Sequence, residues 1–215
     1  MKAPMSLTSF TVSRLSRRGV VGGLAGGLAA VMVPGLGAFP AQALTTVQAR
    51  DLIDRLVGEI NRVINSGKSE EAMYRDFEKI FAKYSDVPAI ARYALGVDAR
   101  RATKTQMRDF TKAFEVYISR KYGKRFREFI GGKIVVKEAR RLKKFYEVKT
   151  MALLRGQDPF EVVFHVSDRS GKNLFFNIFI EGVNMLLNER EEIGAMLDQR
   201  RGDINRLIAD LRKAA

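Results

Sequence analysis

Cysteine is absent from the 215-residue chain, and histidine occurs once, as His165. The first absence removes disulfides and thiol chemistry. Together they exclude a Cys/His metal site and a Cys–His catalytic pair, and any Ser-His-Asp triad would have to be built on His165 alone. That residue sits in an apolar strand-like run, where a structural histidine is the plainer reading. Carboxylate pairs such as Glu70-Glu71 and Glu191-Glu192 fall on helix surfaces, so nothing aims two acids at one cleft. No catalysis is expected. A long hydrophobic run is also missing: Gly19 to Val33 is 15 residues, five of them glycine, where a membrane-spanning helix needs roughly 20 apolar residues. The glycine pairs Gly22-Gly23 and Gly26-Gly27 do not form a nucleotide loop, because no Lys-Ser/Thr follows and no strand precedes them.

The N-terminus reads as an address. Lys2 and Arg14 precede Ser16-Arg17-Arg18, the glycine-diluted apolar run follows, and Ala41-Gln42-Ala43 closes it as a small-x-small cleavage site. This order fits a cleaved twin-arginine export signal over residues 1–43, with retention as an anchor the competing reading. Residues 44–215 are then expected to form one domain with its own core. Removing Lys2, Arg14, Arg17 and Arg18 from 38 basic residues leaves 34 against 24 acidic ones, a formal charge of +10. In the cytosol such a balance would favour nucleic acid. For an exported chain no nucleic acid is expected, and anionic lipid surfaces are the abundant polyanions.

Periodicity divides the mature chain into helices, strands and helices again. Thr46 to Ile64 carries apolar residues at helical spacing and ends at Asn65-Ser66-Gly67. A second helix is expected over Ser69 to Ala82, and a short third one follows Asp86-Val87-Pro88. A long helix is expected from Thr103 to Ile130, with Thr103 and Gln106 as a capping box. Past Gly131-Gly132, four strand-like runs follow: Lys133 to Ala139, Phe145 to Leu154, Phe160 to Ser167 and Leu174 to Ile180. The short, turn-rich links between them require an antiparallel meander. Helical spacing returns from Val183 to Leu197 and from Ile204 to Leu211. The expectation is an α+β fold, a four-stranded antiparallel meander covered by N-terminal and C-terminal helices.

The third and fourth strand runs are apolar on both faces, with Phe160, Val162, Phe164 and Val166 opposite Val163, and Phe176, Ile178 and Ile180 opposite Phe175 and Phe179. A sheet with water on one side would alternate instead. Either the core is filled or the strands line a dry slot, and pattern alone leaves both open. The segment "NIFIEGVNMLLNEREEI" resembles the stretch that characterises the MlaC family, also called the toluene-tolerance family, periplasmic phospholipid-binding shuttles of the Mla lipid-transport system. Phe175, Ile178, Ile180, Glu181, Gly182, Val183 and Arg190 match that pattern. Asn173 replaces its tryptophan, Asn177 its aspartate, Asn184 its serine and Glu189 its tyrosine. A second region, Asp86 to Phe114, agrees at Ile90, Ala91, Leu95, Gly96, Arg100, Ala102, Thr103, Gln106 and Phe110, with Ala99 in place of a tryptophan. The chain has no tryptophan at all, so the resemblance is to a divergent branch of that family.

The resemblance implies a helical shell on a twisted antiparallel sheet, with a pocket that takes the acyl chains of a phospholipid as cargo and no cofactor. It also implies two docking partners, the substrate-binding component of an inner-membrane ABC transporter and an outer-membrane lipoprotein/porin complex. Two chains of about 16 carbons would cost roughly 25 kcal/mol if left in water, at about 0.8 kcal/mol per methylene. A carrier must cover nearly all of that surface. The residues expected to line the pocket are Phe110, Phe114, Tyr117, Val148, Phe164, Val166, Phe176, Ile178, Ile180, Val183 and Leu187. Arg140, Arg141, Lys143 and Lys144, and the segment Arg120 to Arg127, are candidates for contact with head groups or an acidic partner. Glu181 and Asn184 are read as structural, placed where Gly182 turns the chain into a helix. The alternatives are an exported adaptor with a filled core and, built on His165, a small-molecule isomerase.

Overall fold

The computed structural model describes residues 43–214, excepting the side chains of residues 125–127. The expected export signal therefore lies, but for its last residue, outside the described residues, as do the side chains of Arg125 and Arg127. Helix α1 (Thr46–Ile64) starts at a capping box in which Thr45 and Gln48 satisfy each other's backbone N–H groups, at 3.2 and 2.9 Å. It is followed by α2 (Glu70–Tyr84), α3 (Val87–Ala94) and a 3₁₀ turn at Gly96–Arg100. Asp86 caps α3 and Pro88 occupies its first turn, where a missing N–H is harmless.

Helix α4 (Lys104–Gly123) opens on the expected capping box of Thr103 and Gln106. It ends seven residues earlier than the periodicity suggests. At Gly123 the Tyr74 ring packs so close that an added Cβ would sit 3.1 Å from it, and the chain continues as a 3₁₀ segment, Lys124–Phe129.

The sheet is an antiparallel meander in sequential order: β1 (Lys133–Arg141), β2 (Tyr146–Leu153), β3 (Phe160–Ser167), β4 (Leu174–Ile180) and a two-residue β5 (Val183–Asn184). Helices α5 (Met185–Gln199) and α6 (Ile204–Ala214) complete the fold. The α+β class and the meander agree with the sequence, with β5 as an added edge. Arg140 and Arg141 belong to β1, so the first hairpin turn is shorter than the basic cluster.

One face of the sheet carries Val148, Val162, Phe164, Val166 and Phe175 into a core shared with Ile53, Leu56 and Ile60 of α1, Phe77 of α2 and Phe114 of α4. Helix α6 closes the outer side of α4 with Leu207 and Leu211, both fully buried.

The β4–β5 link is a two-residue hairpin turn in which Glu181 (φ 50°) and Gly182 (φ 80°) are both left-handed, as a primed turn requires. Glycine adopts this conformation freely, whereas an L-residue is strained there by roughly 1–2 kcal/mol. Glu181→Asn, a side chain more tolerant of that region, should raise stability by about 0.5–1 kcal/mol in urea unfolding. An unchanged midpoint would show that the turn relaxes around the glutamate.

Candidate functional site

Between the helix-facing side of the sheet and the helices lies a cavity of about 490 Å³. Its sheet wall is Phe160, Val162 and Phe164 of β3 with Phe175, Ile178 and Ile180 of β4. The helical wall comes from Leu56 and Ile60 of α1, Phe77, Ile80 and Phe81 of α2, and Phe114 and Ile118 of α4. Edge-on aromatic pairs hold the wall's shape: Phe164 with Phe175 at 5.6 Å, Phe81 with Phe175 at 6.0 Å and Phe129 with Phe160 at 6.1 Å. Glu128, Gln157, Asp158 and Glu181 also border the cavity and are exposed, which places its mouth at the β2–β3 turn end of the sheet. Volume and lining fall in the range of small-molecule sites, which run from about 300 to 1,000 Å³ and are mostly apolar.

Of the eleven expected pocket residues, Phe114, Phe164, Phe176, Ile178 and Ile180 border the cavity. Simple alternation would put Phe176 on one face with Ile178 and Ile180. A β-bulge prevents this, because Val166 pairs with Phe175 while His165 pairs with Asn177, leaving Phe176 as the extra residue. Phe175 therefore takes the inward place, and Phe176, though it borders the cavity, turns its ring toward the far face, 5.5 Å from Phe145 and 5.9 Å from His165.

The other six lie off the wall. Phe110, Val148 and Val166 are wholly buried in packed core. Tyr117 turns its hydroxyl to Glu192. Val183 and Leu187 are 49% and 41% exposed. The extra turn and β5 rotate the start of α5, so that Met185, Leu186 and Glu189 face the cavity instead.

The basic hairpin lies at the other end of the sheet. Arg141 pairs with Tyr146, six residues along β2 from Ala152 at the mouth end, or about 20 Å at the rise of an extended strand. Arg140 is already engaged, with Glu147 at 2.7 Å. Arg140 and Arg141, and the turn that carries Lys143 and Lys144, thus stand at the end of the sheet opposite the mouth.

A family model described as MlaC protein matches residues 52–213. The chain belongs to the MlaC family. MlaC proteins are lipid carriers, not enzymes. The fold is similar to that of a phospholipid-binding protein from Ralstonia solanacearum, solved in complex with a phospholipid. The TM-score is 0.67 at 15% identity, covering 77% of this chain and 96% of that one. No curated protein matches this sequence.

The departures from the MlaC pattern are explained in part by their contacts. Asn177 and Asn184, which stand for an aspartate and a serine, bond to each other at 3.0 Å. Asn177 also accepts from the Leu186 N–H at 3.2 Å, and Asn184 caps α5 through the Leu187 N–H at 3.1 Å. Glu189, in place of a tyrosine, accepts from Lys121 at 2.8 Å and from the Tyr122 hydroxyl. His165 lies among Phe145, Phe176 and Phe179 on the sheet's far face, 3.8 Å from Glu147. Burial lowers its pKa, and the neighbouring Glu147 only partly opposes this.

Lys121 also bonds Glu192, which accepts from Tyr117 through its other oxygen. Burial pushes the Glu192 carboxyl up, but the hydrogen bonds from Lys121 and Tyr117 outweigh it and hold the pKa below its usual value. A carboxyl lowered in the folded state stabilises the fold above the usual value of 4.5 and loses that contribution as pH falls through the lowered one. Urea unfolding followed from about pH 6 down to pH 3 should therefore show a smaller acid loss in Glu192→Gln than in the unmodified chain. At neutral pH the substitution should cost no more than about 1 kcal/mol, since the carboxylate is substantially exposed. An equal acid loss in both proteins would contradict the assignment.

Proposed function

We propose that this protein is a periplasmic phospholipid carrier that shelters acyl chains in the cavity between sheet and helices and passes lipid between outer-membrane and inner-membrane complexes. The observation that carries the reading is the apolar cavity itself, open at one end of the sheet and walled by side chains from α1, α2, α4, β3 and β4. Membership in the MlaC family and a fold shared with a phospholipid-bound protein support the choice of guest. By proportion to the ~150 Å³ that holds one benzene, the hollow accommodates on the order of 20 carbons, about one tail. A two-tailed lipid therefore requires the helices to move away from the sheet on loading.

Residues 1–43 serve as the export signal in this reading, with cleavage after Ala43. Among the described residues no helix is long and apolar enough to cross a membrane. The cargo is the only small molecule needed. The basic hairpin at Arg140, Arg141, Lys143 and Lys144, far from the mouth, is assigned to a partner rather than to the head group. Its candidates are the membrane-bound component of the inner-membrane ABC transporter and the outer-membrane lipoprotein/porin complex.

Mass spectrometry of an organic extract of the purified protein tests the reading. Phospholipid at near one-to-one yield is expected. An extract without lipid, from protein that also takes none from vesicles, would favour a protein-binding adaptor.

A further inference from the structure

The cavity wall has one conspicuous polar place. Ser119 and Glu189 both line it, at 5% and 3% exposure. Ser119 lies three residues before Tyr122 on α4, hence on the same helix face. The Tyr122 hydroxyl donates to Glu189 Oε1, so the three side chains form one patch between α4 and α5. Lys121 Nζ donates to the same Oε1 at 2.8 Å and also to Glu192, so one ammonium serves two carboxylates. Glu189 Oε2 and Ser119 Oγ have no hydrogen-bond partner among the described residues. Buried polar atoms are nearly always satisfied, and two exceptions facing one cavity ask for a common explanation.

We propose that Ser119 Oγ and Glu189 Oε2 form a subsite for a hydrogen-bond donor on the polar end of the guest lipid, a primary ammonium or a hydroxyl. The inference rests on the carrier reading and narrows it to a class of head group. A carboxylate oxygen only accepts, so it selects N–H or O–H and repels phosphate. The serine hydroxyl complements either donor: it accepts from an ammonium, or donates to the oxygen of a guest hydroxyl that itself donates a hydrogen bond to Glu189 Oε2. A choline head group carries neither N–H nor O–H and gains nothing there. The location suits the polar end of the lipid. Helix α5 begins directly after the mouth residue Glu181 and β5, and Glu189 stands four residues, about 6 Å, along it from Met185. At this position the MlaC pattern has a tyrosine.

The test is uptake by the delipidated protein from vesicles holding dioleoyl phosphatidylethanolamine, phosphatidylglycerol and phosphatidylcholine in equal amounts, read by mass spectrometry of the bound fraction. The ethanolamine or glycerol lipid should exceed the choline lipid by about tenfold, the factor that one charge-assisted hydrogen bond can supply. A lead for ethanolamine assigns the donor as the ammonium, and a lead for glycerol assigns it as the hydroxyl. Glu189→Gln keeps the shape, and Ser119→Ala disturbs only one hydroxyl. Each should erase most of the preference, read as the ratio of the three lipids in the bound fraction and not as total uptake. Equal uptake of all three lipids, or a preference untouched by both substitutions, overturns the subsite. Failure to take up any lipid overturns the carrier reading instead.

Discussion

Ile178→Asp should lower bound phospholipid at least about tenfold while the protein remains folded. Ile178 projects from β4 into the cavity and is half-buried, so an aspartate there can stay hydrated while the cavity is empty. Loading would bring hydrocarbon against the charge and strip its water, a cost of several kcal/mol that exceeds the 1.4 kcal/mol of a tenfold loss. Lipid in an organic extract, normalised to protein, reads the effect, and circular dichroism checks the fold. Normal lipid content in a folded variant would remove Ile178 from the wall that touches cargo.

Phe110→Ala should do the reverse. Phe110 is wholly enclosed, with the Phe114 ring 5.7 Å away on the same helix, and it borders no part of the cavity. Truncation deletes a ring from packed core and should cost about 3–5 kcal/mol. For a domain of this size that is a fall of roughly 10 °C or more in Tm. Lipid per folded molecule should stay near normal. Lost lipid with little lost stability would return Phe110 to the binding wall. The two variants separate stability from capacity, which helix and strand periodicity alone does not distinguish at Phe110 and Ile178.

The sequence shows the architecture because the architecture depends on local signals. The capping box of Thr103 and Gln106, the first helix over Thr46 to Ile64, and the third and fourth strands stand where their residues indicate. The cavity was harder to read, for identifiable reasons. Alternation along β4 fails at a bulge, which no property of Phe175 or Phe176 announces. The rotation of α5 depends on a two-residue hairpin at Glu181-Gly182, where the sequence suggests a direct entry into helix. The contributions of α1 and α2 through Leu56, Ile60, Phe77 and Phe81 follow their apolar stripes, yet a stripe does not say whether it meets side chains or empty space. The orphan atoms of Ser119 and Glu189 can be seen only once the helices are placed.

The sheet has apolar aromatic surface on both sides, and this makes one measurement decisive. A phospholipid with a photoreactive diazirine near the end of a tail, loaded and irradiated, marks the residues that touch hydrocarbon, and peptide mass spectrometry locates them. Labels on Phe77, Phe81, Phe164 or Ile178, on the cavity side, are the predicted result. Labels confined to Phe145 and Phe179, on the far face, would contradict it.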